Sequence, residues 1–282
     1  MNVRQQKSEA FQKLHDGPNA FVIANVWDAG SARLLETLGF KAIATTSAGL
    51  AYSLAKPDGR NAVTRAEALD NARAIVEATS LPVSADLEGG YGLTPEDCAL
   101  TIRGAIEVGL TGGSIEDSTG HAAAPIHDIG LATERVRAAV EAARTSDVPF
   151  LLTARSENFL HGRADLADTI RRLQAFQDAG ADVLFAPGLR SAEDIRAVTS
   201  SVDRPVNVVM GLKGVLFTVA DLAEMGVRRI SVGGSLARTA YGAMLRGARE
   251  IMAGGTFTYS EHAIPDSEIS GTFAKPNRPA QA

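Results

Sequence analysis

The sequence predicts an α/β fold, a single-domain (β/α)8 TIM barrel preceded by an N-terminal helix, and three observations carry that prediction. Eight short apolar runs recur along the 282 residues, amphipathic segments of helical spacing separate them, and no Pro-, Gly- or Ser-rich linker breaks the alternation. Strands rich in Val, Ile, Leu and Ala with little polar alternation suit a parallel sheet covered on both faces. An open doubly wound sheet would share the alternation, but eight is the strand count at which a closed sheet fills its interior with side chains. The length suits one domain, because α/β barrels run to roughly 250 residues or more.

In chain order, MNVRQQKSEAFQKLHDG supplies the N-terminal helix and FVIANVW (21–27) the first strand, followed by a helix in SARLLETLG. KAIATTS (41–47) is the second strand, and TRAEALDNARAIVEAT is the helix before the third, PVSADLE (82–88). GGSIED (112–117), PFLLTARS (149–156) and DVLFAP (182–187) follow, with helices in ATERVRAAVEAAR and DLADTIRRLQAFQDAG between them. PVNVVM (205–210) and RISVGG (229–234) complete the set. Gly39, Gly109, Gly180 and Gly226 read as helix stops, since a left-handed C-terminal residue is usually glycine. The barrel is assigned to 1–255. The remainder, 256–282, is a polar tail with three prolines, either disordered or laid across a neighbouring surface.

A formal net charge of -5 leaves no basic footprint for phosphate backbones, so nucleic acid is not the expected partner. Cys98 is the single cysteine, which excludes an intrachain disulfide; it falls in the helix after the third strand and reads as a small buried thiol. The opening residues lack the apolar stretch of a signal peptide, and no run is long enough to span a bilayer. A cytoplasmic enzyme without a membrane partner is expected.

In an α/β barrel the active site lies at the C-terminal ends of the strands. Polar residues concentrate there: Asn25, Trp27 and Asp28, then Thr45, Thr46 and Ser47, then Asp86 and Glu88, Glu116 and Asp117, Arg155, Ser156 and Glu157, and Asn207. Asp86 and Glu88 are two residues apart on one predicted strand, so both side chains point the same way and converge with Glu116 from the next strand. Carboxylates crowded in this way need a compensating charge, and an oxygen-only ligand set suits a hard cation, Mg2+ or Mn2+. Arg155 could hold a substrate carboxylate in a bidentate fork, although a ring of structural ion pairs would use the same residues. The glycines of GGYG after Glu88 and of SAGLAY (47–52) would let backbone approach a ligand, and ordinary turn chemistry would also use them.

D-x-E-x-G-Y-G at 86–92, I-E-D at 115–117 and A-R-S-E at 154–157 together resemble the isocitrate lyase/phosphoenolpyruvate mutase superfamily. The first β/α unit, VWDAGSARLLETLGFKAIATTSAG, is similar, as are SLAKPDG, AGADVLF and GVRRISVG. The resemblance implies an enzyme that binds Mg2+ and a small 2-oxo or 2-hydroxy carboxylate, and that makes or breaks a bond beside a pyruvate-like enolate. It implies Asp86, Glu88 and Glu116 as metal residues, directly or through water. It further implies Arg155 as the carboxylate binder, Ser47, Ala48 and Gly49 as an oxyanion cradle with Trp27 and Asn207 beside them, and Asp58 near the reacting group. It also implies a homodimer or homotetramer in which the helix of SLARTAYGAMLRGAREIM (235–252) is exchanged; spacing alone shows an amphipathic helix that could equally pack on its own barrel.

The chain departs from that pattern where lyases of the family carry a K-[KR]-C-G-H loop. STGHAAAPIHD (118–128) has neither Lys nor Cys; His121 and His127 lie in it, and either could serve as an acid or base, since imidazole titrates near neutral pH. The second acid of the metal set is Glu, FAPGL lacks the glutamate after the sixth strand, and Asn207 is displaced relative to the family's strand-seven asparagine. The expected activity is carbon–carbon cleavage of a small oxo- or hydroxy-acid. The alternatives are P–C chemistry, decarboxylation of oxaloacetate, a carboxylate-binding protein without turnover, and a phosphate-binding barrel using VMGLKG and GGSLAR.

Overall fold

The computed structural model describes residues 2–274. Eight parallel strands close into a barrel in sequence order: β1 Phe21–Val26, β2 Ile43–Thr45, β3 Val83–Asp86, β4 Gly112–Glu116, β5 Leu151–Arg155, β6 Val183–Phe185, β7 Val206–Val209 and β8 Arg229–Ser231. Helix α1 (Val3–Asp16) precedes β1. Around the sheet run α2 (Ala29–Thr37), α3 (Ser47–Ser53), α4 (Arg65–Ala78), α5 (Pro95–Glu107), α6 (Ile129–Arg144), α7 (Leu166–Asp178), α8 (Ala192–Ser200), α9 (Val219–Glu224) and α10 (Ser235–Gly254). The barrel closes where Phe21, Val22 and Ile23 of β1 pair with Arg229, Ile230 and Ser231 of β8.

Local sequence explains where the helices begin and end. Thr64, Thr94 and Thr218 each accept the backbone N–H three residues on, and Glu67, Asp97 and Asp221 return the bond, satisfying otherwise unpaired donors. Gly39, Gly109, Gly180 and Gly226 stop their helices with φ of 86°, 91°, 101° and 84°, a left-handed geometry that costs other residues more.

Strand alternation divides the buried residues between two environments. On β5, Leu152 and Ala154 join the apolar layer between sheet and helices, whereas Arg155 turns into the barrel; on β4, Ile115 and Ser114 divide in the same way. The lower end of the barrel is closed by α1, whose Phe11 is fully buried against Ile23, Ala42, Ala44 and Leu151. A Cβ on Gly112 would stand 2.9 Å from the Phe11 ring, so the plug and the bare glycine require one another. Phe11→Ala is expected to cost about 3–5 kcal/mol of stability through the cavity it leaves. Urea denaturation checks this, and a loss below about 1 kcal/mol would contradict the plug.

One local expectation is corrected, and two local features gain a structural account. β3 ends at Asp86, and Glu88 lies beyond it with φ 45°, so strand alternation does not place Glu88 beside Asp86; the turn does. The glycines of GGYG serve close backbone packing: a Cβ on Gly89 would stand 2.9 Å from the Ser118 carbonyl oxygen, and one on Gly90 3.1 Å from Cys98 Cα. SAGLAY forms the start of α3, capped by the Thr46 hydroxyl.

The polar tail contains a 3-10 turn, Thr258–His262, and helix α11, Asp266–Ala274. The Glu250 carboxylate ties the first of these to α10 by accepting the backbone N–H groups of Thr258 and Tyr259 at 2.6 and 3.0 Å. α11 lies along α2, where Arg33 donates to the Thr272 carbonyl at 3.4 Å. The end of the predicted tail, 275–282, falls outside the described residues. Among the described residues no helix is long and apolar enough to cross a membrane.

Candidate active site

A cavity of about 300 Å³ opens at the C-terminal end of the barrel. Ser47, Ala48, Asp58, Asp86, Arg155 and Asn207 all line it. The other expected residues do not reach its wall. Glu88 and Glu116 stand behind Asp86 and Arg155. Trp27 and Gly49 pack against each other, with a Cβ on Gly49 meeting the Trp27 Cβ at 2.7 Å.

Asp86 is the centre of the arrangement. Its carboxylate accepts the Ser47 hydroxyl at 2.9 Å, the Ser47 backbone N–H at 3.3 Å and Arg155 Nη1 at 2.8 Å. Arg155 gives Nη2 to Glu116 at 3.1 Å and Nε to Glu157 at 2.9 Å, and its guanidinium lies 5.1 Å from the Phe185 ring centre. One cation therefore faces three carboxylates, and one N–H on each terminal nitrogen is left without a carboxylate partner among the described residues.

That balance shows in the acidities. Burial, with added repulsion from Asp86 and Asp58, pushes Glu88 up to about 7. Burial raises Glu116 well above the usual carboxylate range despite Arg155. Asp58 sits at the rim on an exposed stretch, yet its carboxyl faces inward; lost hydration and then Asp86 raise it, while a hydrogen bond from Ser47 pulls the other way. Tuned carboxyls in a cleft are a mark of proton-transfer chemistry.

Loop 118–128 folds on itself through a bridge between Ser118 and Ile126 and a bond from Thr119 N to the Pro125 carbonyl at 2.9 Å. Asn61 Nδ2, from the loop carrying Asp58, holds the Thr119 carbonyl at 3.0 Å. This closure leaves His121 exposed outside the cavity. His127 is buried, away from the cavity wall, and its pKa falls to about 4 because burial disfavours the charged ring. Neither loop histidine is brought to the carboxylates. Cys98 is buried with its thiol pushed up to about 11, as a packing residue would be.

Arg229 and Arg238 line the cavity but were not singled out by sequence. Alternation in RISVGG would have found the first, since Arg229, Ser231 and Gly233 share one face and all line the cavity. Asn25, a polar strand-end residue, also lines the wall, where its Oδ1 accepts Val232 N and Gly233 N at 2.9 and 2.8 Å and so fixes the end of β8.

Known proteins share this fold. The family model for phosphoenolpyruvate phosphomutase matches residues 11–252. The structure of a protein from Burkholderia cenocepacia J2315, described as a lyase or mutase, is 53% identical with a TM-score of 0.95 and covers 100% of both chains. Oxaloacetate acetylhydrolase in complex with oxalate is 26% identical with a TM-score of 0.86, covering 96% of this chain and 94% of that one. The 2-methylisocitrate lyase of Escherichia coli is 30% identical over 229 residues, 78% of this chain and 75% of the relative. A closed barrel with this cavity and these relatives is an enzyme of the carbon–carbon lyase type. The chain belongs to the phosphoenolpyruvate mutase/isocitrate lyase superfamily.

Proposed function

We propose that the protein is a Mg2+-dependent lyase that cleaves a carbon–carbon bond in a small 2-oxo or 2-hydroxy carboxylic acid through a pyruvate-like enolate. The observation that carries this reading is the excess of carboxylates, Asp58, Asp86, Glu88, Glu116 and Glu157, around the single guanidinium of Arg155. Such a set fits a hard divalent cation. Among the described residues no three acidic, His or Cys side chains stand ready to hold an ion by direct contact. Mg2+ keeps most of its water, so Asp86 would hold it with Glu88 and Glu116 bound through water. When bound, the metal would supply Lewis-acid stabilisation of the enolate oxygen.

The chain's own residues do the rest. Arg155 turns its two remaining N–H bonds to the substrate carboxylate, fixed in place by Asp86, Glu116 and Glu157. Asp58, at the rim beside Asp86, takes the proton of the substrate hydroxyl; the adjacent carbon–carbon bond then breaks to leave a carbonyl product and the enolate. With His121 and His127 outside the cavity, the enolate takes its proton from solvent. Arg238, exposed at the mouth, meets a second carboxylate of the substrate.

Oxalate, which resembles the planar enolate, tests this by calorimetry. It is expected to bind only with Mg2+ present, and binding that survives chelation would overturn the reading. Mg2+ affinity is expected to rise with pH through about 7, because below that value a proton on Glu88 competes with the cation. A flat profile between pH 6 and 8 would remove Glu88 from the metal's surroundings.

Helix α10 supports the exchanged-helix assembly. Of its 20 residues only Ala237 and Gly247 are buried, and Leu236, Met244, Leu245 and Met252 are exposed. A dimer or tetramer is expected by light scattering, and a monomeric mass at working concentration would refute it.

A further inference from the structure

The cavity continues below the carboxylate cluster. Ser84, Ser114, Asn207 and Ser231 line its lower wall, and Arg229, only 5% exposed, lies at the floor. Nε of Arg229 donates to Asn207 Oδ1 at 2.8 Å, Nη2 donates to Thr153 Oγ1 at 2.9 Å, and Nη1 stands 3.5 Å from His15 Nε2. All three partners are neutral. Asn207 is oriented by its own bond from Nδ2 to Ser231 Oγ at 3.0 Å. His15 stays an uncharged imidazole, since burial, and then Arg229, bring its pKa down to about 3. Its Nδ1–H donates to the Phe11 carbonyl at 2.9 Å, so the Nε2 lone pair faces the guanidinium.

Buried Arg155 and Arg172 are paired with carboxylates, while Arg229 has none within ion-pair distance among the described residues. A guanidinium has five N–H donors, and these contacts leave two of them without an acceptor there. Burial, and then repulsion from Arg155, lower the Arg229 pKa to about 9. Two cations thus face one cavity from successive layers of the barrel, an arrangement that an anion between them would relieve.

We propose that Arg229 makes the floor of the cavity a binding subsite for a small carboxylate, distinct from the carboxylate cluster at the mouth. Asn207, Thr153 and His15 hold the guanidinium without neutralising it, which leaves its charge and its free N–H bonds for an oxyanion. The subsite stands without the metal, so its failure would leave the proposed lyase chemistry untouched.

13C-labelled formate is the probe, its linewidth titrated against the metal-free protein. Saturable broadening is expected. Arg229→Met should weaken it at least about tenfold, since a charged hydrogen-bond donor is lost. Arg229→Lys, which keeps the cation, should fall between the two, and Arg229→Gln replaces the Met variant if circular dichroism shows the latter unfolded. Repeating the titration with Mg2+ and oxalate separates two sources of the same chemistry. Formate that still binds marks a site for a free small anion, whereas formate displaced by oxalate marks the place of one end of the substrate. No saturable broadening in the parent protein, or neutral variants that bind formate as tightly as it does, would overturn the proposal.

Discussion

Asp58→Ala is expected to lower turnover by about 10²–10⁴-fold while leaving Mg2+ and oxalate binding intact, the range for loss of a positioned acid or base. The asymmetry follows from where Asp58 sits. It lines the cavity at the rim, on the loop before α4, where lost hydration and then Asp86 raise its pKa. A carboxylate there is no help in holding an anionic ligand, so its removal should spare or improve oxalate affinity. Its value lies in accepting a proton, which a raised pKa favours. Unchanged turnover would remove its role, and a parallel loss of Mg2+ binding would move it from proton transfer to metal support. Asp58→Asn separates charge from bulk and should match Ala in turnover.

Arg155→Met is expected to carry the largest stability effect, about 3–5 kcal/mol at pH 8, because it leaves buried carboxylates without their cation. Asp86, Glu116 and Glu157 would all lose the same partner. The loss should shrink toward pH 5. Glu88 and Glu116 have folded-state pKa values above the ordinary carboxylate value, so folding takes up protons and the ionised cluster weakens the fold as pH rises through those values. Mg2+ should recover part of the loss by replacing the missing charge. Urea denaturation at the two pH values checks this, and an effect below about 1 kcal/mol at pH 8 would show that the carboxylates are already neutral.

The strand order and most of the site were legible in sequence because both rest on local pattern. Period-two alternation separates Leu152 and Ala154 from Arg155 on β5, and left-handed glycines mark the helix ends. What was missed depends on contacts between distant segments. Glu88 was placed by alternation, but the strand ends at Asp86 and a left-handed turn sets its position. GGYG carries no mark that its glycines answer to Ser118 and Cys98, which come close only in the folded chain. The histidines of 118–128 were candidates because imidazole titrates near neutral pH, whereas bonds to Pro125 and Asn61 hold this loop away from the cavity. Arg229 opens its strand instead of ending it, and its partners His15, Thr153 and Asn207 come from three other parts of the chain.

Turnover of oxaloacetate, 2-methylisocitrate and 2-alkylmalates, followed as release of an oxo-acid product with Mg2+ and after full chelation, tests the central claim most directly. Cleavage of at least one of them that requires Mg2+ and is lost in Asp86→Ala is the predicted result. Cleavage that persists under chelation, or in Asp86→Ala, would contradict it.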